Sequence, residues 1–236
     1  MNAEILRIGD DLVAMHAVLT DAGITLVDAG LPGDRKALES TLRAAGRELS
    51  DIRGVVLTHG DSDHIGVAEW LRAEHGVPVH VHEADAARAR GEVKSHAPGG
   101  AWKLGPVLRF LGSGIRRGAM RSVRIGEVRT FRDGDVLDLP GAPEIIGLRG
   151  HSPGSVAIRI PSADALFLGD AVTTRNVLTG VEAVALGPFS DDPQQTPESL
   201  ERLRGLPETR LFPGHGPEFR GTADQLIAAL AVTRQE

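Results

Sequence analysis

The sequence predicts an α/β fold whose sheets are covered by helices. Three observations predict it. Each half of the chain begins with short apolar strands and continues into strand–helix units. No linker or low-complexity stretch divides the halves. The 236 residues, 41% hydrophobic, are enough for one large core, so we read residues 1–236 as a single domain. Taken in order, strands are expected at 5–8, 12–19 and 24–27, the last closing on Asp28-Ala29-Gly30. A helix over 32–45 follows from the spacing of Ala37, Leu38, Leu42 and Ala45, and stops at Gly46. A strand at 54–58, a helix over 65–74 ending at Gly76, a strand at 77–81 and a short helix over 83–90 complete the first half. Strands are then expected at 128–131, 136–139, 144–148, 155–160 and 165–168. A helix over 197–206, a strand at 210–212 and a closing helix over 222–232, with Leu226, Ala229, Leu230 and Thr233 facing the core, end the chain.

Composition excludes several classes of function. There is no cysteine, hence no disulfide, thiolate ligand or cysteine nucleophile, and no tyrosine to act as a proton donor. A net charge of −6 and only 3% aromatic residues argue against nucleic acid and against an anionic membrane as partners. No apolar run reaches the length of a membrane span, and the N-terminus leads straight into a strand-like segment, so a cytoplasmic location is expected. Residues 91–124 stand apart. They hold seven basic side chains against the single acid Glu92, a local charge of +6 that leaves −12 on the rest of the chain. This insert is expected to fold over the acidic body as a lid and to favour an anionic small-molecule substrate, or else to serve as a contact in a homo-oligomer.

The chemistry-bearing residues sit in turns that follow apolar strands. Thr58-His59-Gly60-Asp61-Ser62-Asp63-His64 supplies four donors in six residues. Gly150-His151, Gly169-Asp170 and Gly214-His215 repeat the arrangement after three other strands. Ligands gather at strand carboxyl ends in layered α/β proteins. The inventory suits two divalent ions, one held by His59, Asp61 and His151, the other by Asp63, His64 and His215, with Asp170 between them. Gly150-His151-Ser152-Pro153-Gly154 matches the nucleophile elbow of serine hydrolases, but Pro153 has no N–H for the oxyanion hole and a strand, not a helix, follows. Asp28 is expected to support the ligand loop, while His80 and His82 share one strand face. No role is assigned to His16, His75 or His96.

The set His59-x-Asp61-x-Asp63-His64, His151, Asp170 and His215 resembles the metallo-β-lactamase fold superfamily. Leu26-Val27-Asp28-Ala29-Gly30, Phe167-Leu168-Gly169-Asp170 and Phe212-Pro213-Gly214-His215-Gly216 resemble its recurrent segments. The resemblance implies an αββα four-layer sandwich of two facing mixed β-sheets with outer helices, and a dinuclear metal site at one edge. It further implies a hydrolase in which a metal-activated hydroxide attacks an ester, thioester, lactone or amide bond of a small molecule, with Asp63 as both ligand and catalytic residue. Zinc is the expected metal. Asp61, however, stands where the family usually has a second histidine, and its harder oxygen shifts preference toward iron or manganese. Flavodiiron relatives carry a carboxylate at that position, so an iron-dependent oxidoreductase is one alternative. A non-catalytic metal- or metabolite-binding module is another. An aspartate here should also make the site more anionic.

Overall fold

The computed structural model describes residues 3–95, 101–121 and 123–233; His96 and the Thr233 side chain lie outside the described residues. Two sheets carry the fold. In the first, β1 (Glu4–Gly9), β2 (Ala14–Thr20) and β3 (Gly23–Val27) form an antiparallel meander. It continues in parallel through β4 (Ile52–Val56), β5 (Val79–His82) and β6 (Arg129–Phe131). In the second, β7 (Glu144–Gly147), β8 (Val156–Ile160) and β9 (Ala165–Gly169) are antiparallel neighbours. A two-stranded ribbon, β10 (Val172–Thr173) with β11 (Ala185–Leu186), stands apart. The second sheet is completed by β12 (Arg210–Pro213), parallel to β9, and β13 (Phe219–Arg220) at its edge.

Among the described residues six α-helices accompany these strands: α1 (Arg35–Ala44), α2 (Ala68–His75), α3 (Ala86–Ala89), α4 (Leu104–Arg116), α5 (Gln195–Leu200) and α6 (Ala223–Thr233). Alternation along β2 shows why they form layers. Met15, Ala17 and Leu19 point outward into one apolar cluster with Leu38 and Leu42 of α1 and Leu71 of α2. Val18 points the other way, into a cluster with Val27, Val56, Ile158 and Phe167 that fills the space between the sheets. On the far side, Leu166 and Leu211 pack against Leu200, Leu226 and Leu230. The order is helix, sheet, sheet, helix: the αββα sandwich.

Element boundaries depart from expectation where the backbone has other duties. The helix expected from residue 65 begins at Ala68, because residues 64–67 are tied to the turn after β3. Ala29 N–H donates to the His64 carbonyl, Gly66 N–H to Gly30 and Val67 N–H to Ala29. Gly66 is obligatory at this contact, since a Cβ there would lie 2.2 Å from the Leu31 carbonyl carbon. The strand expected at 136–139 reduces to one bridge, Val136 with Glu144, because Pro140 and Gly141 turn the chain at once. The two-residue strands β10, β11 and β13 are too short to leave an alternating pattern. The basic insert contains α4.

Candidate metal centre

Four loops that follow strands of both sheets meet at one edge of the sandwich. The β4 loop brings His59, Asp61, Asp63 and His64; the β7, β9 and β12 loops bring His151, Asp170 and His215. All seven residues that the sequence singled out converge. Potential ligand atoms of His59, Asp61 and His151 lie within 4.8 Å of one another, and so do those of Asp63, His64 and His215. A third such group, His59, His64 and Asp170, joins the two. Asp170 spans them: its Oδ2 is 2.9 Å from His215 Nε2 and 3.9 Å from His151 Nε2, and its Oδ1 is 3.4 Å from His64 Nε2.

Three of the four imidazoles are oriented from behind. Asp28, at φ 59° in the left-handed region, accepts from Thr58 N–H (2.8 Å) and Thr58 Oγ1 (2.9 Å), and faces His64 Nδ1 at 2.9 Å. Thr58 Oγ1 in turn lies 2.9 Å from His59 Nδ1, and the His215 Nδ1 meets the Leu12 carbonyl. Three rings are thereby left presenting Nε2 to the centre. Asp28 thus does support the ligand loop, as the sequence suggested. Asp85, which sequence reasoning passed over, clamps two ligand loops together. It accepts from Gly60 N–H (2.9 Å), Gly154 N–H (2.8 Å) and Ser152 Oγ (2.6 Å). Ser152 is fully buried and engaged there, which removes it as a nucleophile on structural grounds as well.

The donor set fits divalent metal ions. His59 Nε2, His64 Nε2 and Asp170 Oδ1 are buried without a hydrogen-bond partner among the described residues, an arrangement costly to leave unsatisfied. Burial, together with the charges of His64 and His151, pushes the His59 imidazole well below its usual range, so its Nε2 lone pair is free. Burial also disfavours charge on Asp170 and Asp61, yet facing histidines outweigh it and hold both carboxyls low. His215 and His64 do so for Asp170, and His151 and His59 for Asp61. Against its burial, His64 is raised by Asp28, Asp170 and Asp63, and His215 by Asp170 and Asp63.

One expectation needs correction. Asp61 does not simply add negative charge. Its Oδ1 accepts from Arg88 Nη1 at 3.1 Å and from Ser95 Oγ at 2.5 Å, while Oδ2 faces His151 Nε2 at 3.1 Å. Arg88, buried on α3, also donates from Nη2 to Asp191 at 2.5 Å. The guanidinium neutralises the charge that aspartate brings in place of imidazole.

The basic insert does reach the site, but its charges do not. Through α4 and the residues after it, the insert lines a cavity of about 560 Å3 that opens onto Asp61, Asp63 and Asp170. Arg117 turns away to Asp34 (2.7 Å and 2.6 Å), Asp10 (3.1 Å) and the Val13 carbonyl. Arg109 and Arg116 are exposed, and no basic side chain lines the cavity among the described residues. The expected steering of an anionic substrate by these arginines therefore finds no geometry to support it. His16 is buried against the Phe167 and Phe212 rings and is not among the grouped ligands. His80 and His82 lie on β5, away from this cavity.

Known proteins agree with this architecture. The metallo-beta-lactamase superfamily model matches residues 9–215. A probable metallo-hydrolase of Bacillus subtilis strain 168, YflN, is 27% identical over 213 residues, covering 83% of this chain and 76% of that protein. The metallo-beta-lactamase family protein TTHA1429 of Thermus thermophilus superposes with a TM-score of 0.70 at 21% identity, covering 99% of this chain and 79% of that one. TTHA1623, solved in a di-iron-bound form, superposes with a TM-score of 0.63 at 26% identity, covering 97% of this chain and 99% of that one. With its fold, its convergent His/Asp cluster and a family match over most of its length, this chain belongs to the metallo-β-lactamase superfamily.

Proposed function

We propose that this protein is a metal-dependent hydrolase that cleaves an ester, thioester, lactone or amide bond of a small molecule. The observation that carries the proposal is the pair of buried ligand groups, with Asp170 between them, at the floor of a cavity large enough for such a substrate. His59, Asp61 and His151 would hold one ion and Asp63, His64 and His215 the other, with Asp170 serving both. Bound there, divalent metal would supply a water of lowered pKa and Lewis-acid polarisation of the carbonyl.

The chain's own residues do the rest. Asp63 is the most accessible of the three carboxylates, with its side chain 24% exposed, and it lines the cavity. It accepts a hydrogen bond from the attacking water, takes its proton as the carbon–oxygen bond forms, and returns that proton to the leaving group. The Asp28–Thr58 pair and the Asp85 clamp fix the loops, so the ligand geometry exists before substrate arrives. We read residues 1–236 as one domain and place the protein in the cytoplasm; among the described residues no helix is long and apolar enough to cross a membrane.

Metal analysis of protein expressed without added metal, paired with chromogenic esters, thioesters, lactones and phosphodiesters, tests the reading. About two ions per chain and chelator-sensitive turnover of a carbonyl substrate are expected; full turnover by metal-free protein would reject it. Zinc is the metal we propose first. The carboxylate at Asp61 supports iron or manganese as the second reading, and with iron an oxidoreductase, which the same metal analysis and an oxygen-consumption assay would identify.

A further inference from the structure

The walls of the cavity are almost wholly apolar. Above the carboxylate floor stand Leu12, Leu31, Phe110, Ile115, Met120 and Phe189. The polar groups are Ser62 and Ser95 beside the floor, and Ser113, which is buried with its Oγ donating to Asp10 at 3.3 Å. Among the described residues no basic side chain lies on the lining, so a charged group carried at the far end of the substrate, away from the metal-binding floor, would be desolvated with no countercharge.

The α4 helix explains how the wall is built. Its inner face sets Val107 and Phe110 against Leu12, Val177, Leu178 and Phe189. Leu104, Leu108, Leu111 and Ile115 recur at helical spacing along its outer face and are 53–63% exposed. Leu111 and Ile115 belong to both surfaces, and across from them Met120 is 82% exposed. An apolar track therefore runs from solvent, along α4, down to the catalytic floor. So much exposed hydrocarbon beside a built cavity is unfavourable unless something covers it.

We infer that the substrate's acyl group is an uncharged hydrocarbon chain, lodged along α4 with its carbonyl over Asp63. This rests on the hydrolase reading above and narrows it to apolar-acyl esters, thioesters or lactones. In the reaction, the water oxygen bonds to the acyl carbon and the bond to the alcohol or thiol breaks. One proton of the water passes to the leaving oxygen or sulfur, and the acyl group is released as the carboxylic acid, still joined to the freed hydroxyl where the substrate is a lactone.

The test uses the metal-reconstituted full chain with p-nitrophenyl acetate, butyrate and octanoate, plus an octanoate analogue ending in a carboxylate. Burial of hydrocarbon is worth up to about fourfold in kcat/KM per methylene. We expect at least a tenfold rise from acetate to octanoate and at least a tenfold loss for the carboxylate-ended analogue. Leu111→Glu and Ile115→Glu, at positions more than half exposed, should each lower the octanoate-to-acetate ratio at least fivefold with Tm unchanged. A flat or inverted chain-length series, or preference for the charged analogue, overturns the inference while leaving the hydrolase reading intact. If no ester is turned over, the hydrolase reading is judged on the thioester, lactone and amide substrates, and the cavity by calorimetric titration with 2-decanone. Saturable binding weakened by Ile115→Glu then upholds an apolar-chain site, and no saturable binding rejects it.

Discussion

Replacing Arg88 by methionine keeps the length and apolar stem of the side chain and removes only the guanidinium. Two carboxylates then lose the guanidinium: Asp61, at 3.1 Å, and Asp191, at 2.5 Å. Breaking a buried ion pair by deleting one member costs about 3–5 kcal/mol. The lower end applies here. Asp61 keeps its bonds to Ser95 and His151, and the Asp191 side chain, 17% exposed, can reach water. A loss of about 3 kcal/mol in a chain of this length lowers Tm by roughly 6–12 °C. The sign of the metal dependence is the sharper test. In metal-free protein nothing replaces the lost cation. In metal-loaded protein, an ion bound by Asp61 supplies positive charge, so the penalty should shrink to less than half.

Calorimetric melting with and without chelator measures both quantities. An Asp61→His background removes the carboxylate that Arg88 neutralises. The cost of Arg88→Met should fall there by about 1 kcal/mol or more, a coupling typical of groups in direct contact. A Tm change below about 2 °C in metal-free protein, or an equal change with and without metal, would refute the argument that Arg88 offsets the charge at Asp61.

Chelation of the wild type should lower Tm and abolish turnover together, because three carboxylates then face one another and ligand-linked stability is lost; melting curves at stepped chelator concentrations check this. Asp61→Ala should bind about one ion per chain, retaining the ion at Asp63, His64 and His215, as elemental analysis after desalting would show. Asp28→Asn should preserve the fold, since asparagine tolerates the positive φ, but weaken metal affinity roughly 10–100-fold in chelator competition, because the charged acceptor behind His64 is gone. His16, outside the ligand set, gives a pH dependence of its own. Burial, with Arg7, Arg210 and His64 nearby, lowers it to about 3, so it stays neutral in the folded chain while the unfolded chain takes up a proton below about pH 6.5. Stability from this group is therefore whole above about pH 6.5 and falls with pH by about 1.4 kcal/mol per unit toward about pH 3. At about pH 5 the loss is about 2 kcal/mol, and His16→Leu should remove that part of the slope in urea titrations at stepped pH.

How much of this was legible in the sequence follows from the range of each interaction. The ligands could be read because each sits directly after an apolar strand beside a glycine, and strand ends are local signals: His59 after β4, His151 after β7, Asp170 after β9, His215 after β12. The layers could be read from period-two alternation, as in Met15, Ala17 and Leu19 against Val18. Arg88 could not. Its partners are 27 and 103 residues away, and a lone arginine in an alanine-rich turn carries no local mark of burial. Asp85 was hidden for the same reason, with partners at Gly60, Ser152 and Gly154. The helix at 65–74 was placed three residues early because its pattern ignores Gly66, whose close approach to Leu31 belongs to tertiary structure.

The basic insert shows most clearly what composition can and cannot say. Its +6 charge against a −12 body did predict contact, and Arg117 makes it, anchoring the end of α4 to Asp34 and Asp10. That contact is with the body of the protein. Arg117 directs four of its five N–H donors to two aspartates and a carbonyl, and what the anchored helix presents to the cavity is Phe110, Leu111 and Ile115. Charge thus fixes where the helix lies, and hydrocarbon determines what it meets. Arg117 is consequently a positioning residue for the cavity wall. Arg117→Met should loosen α4 and lower kcat/KM for long-chain and short-chain esters by unequal factors, the long-chain ester losing more. If both fell equally, or only anionic substrates suffered, the wall would not depend on this anchor and the steering role would return.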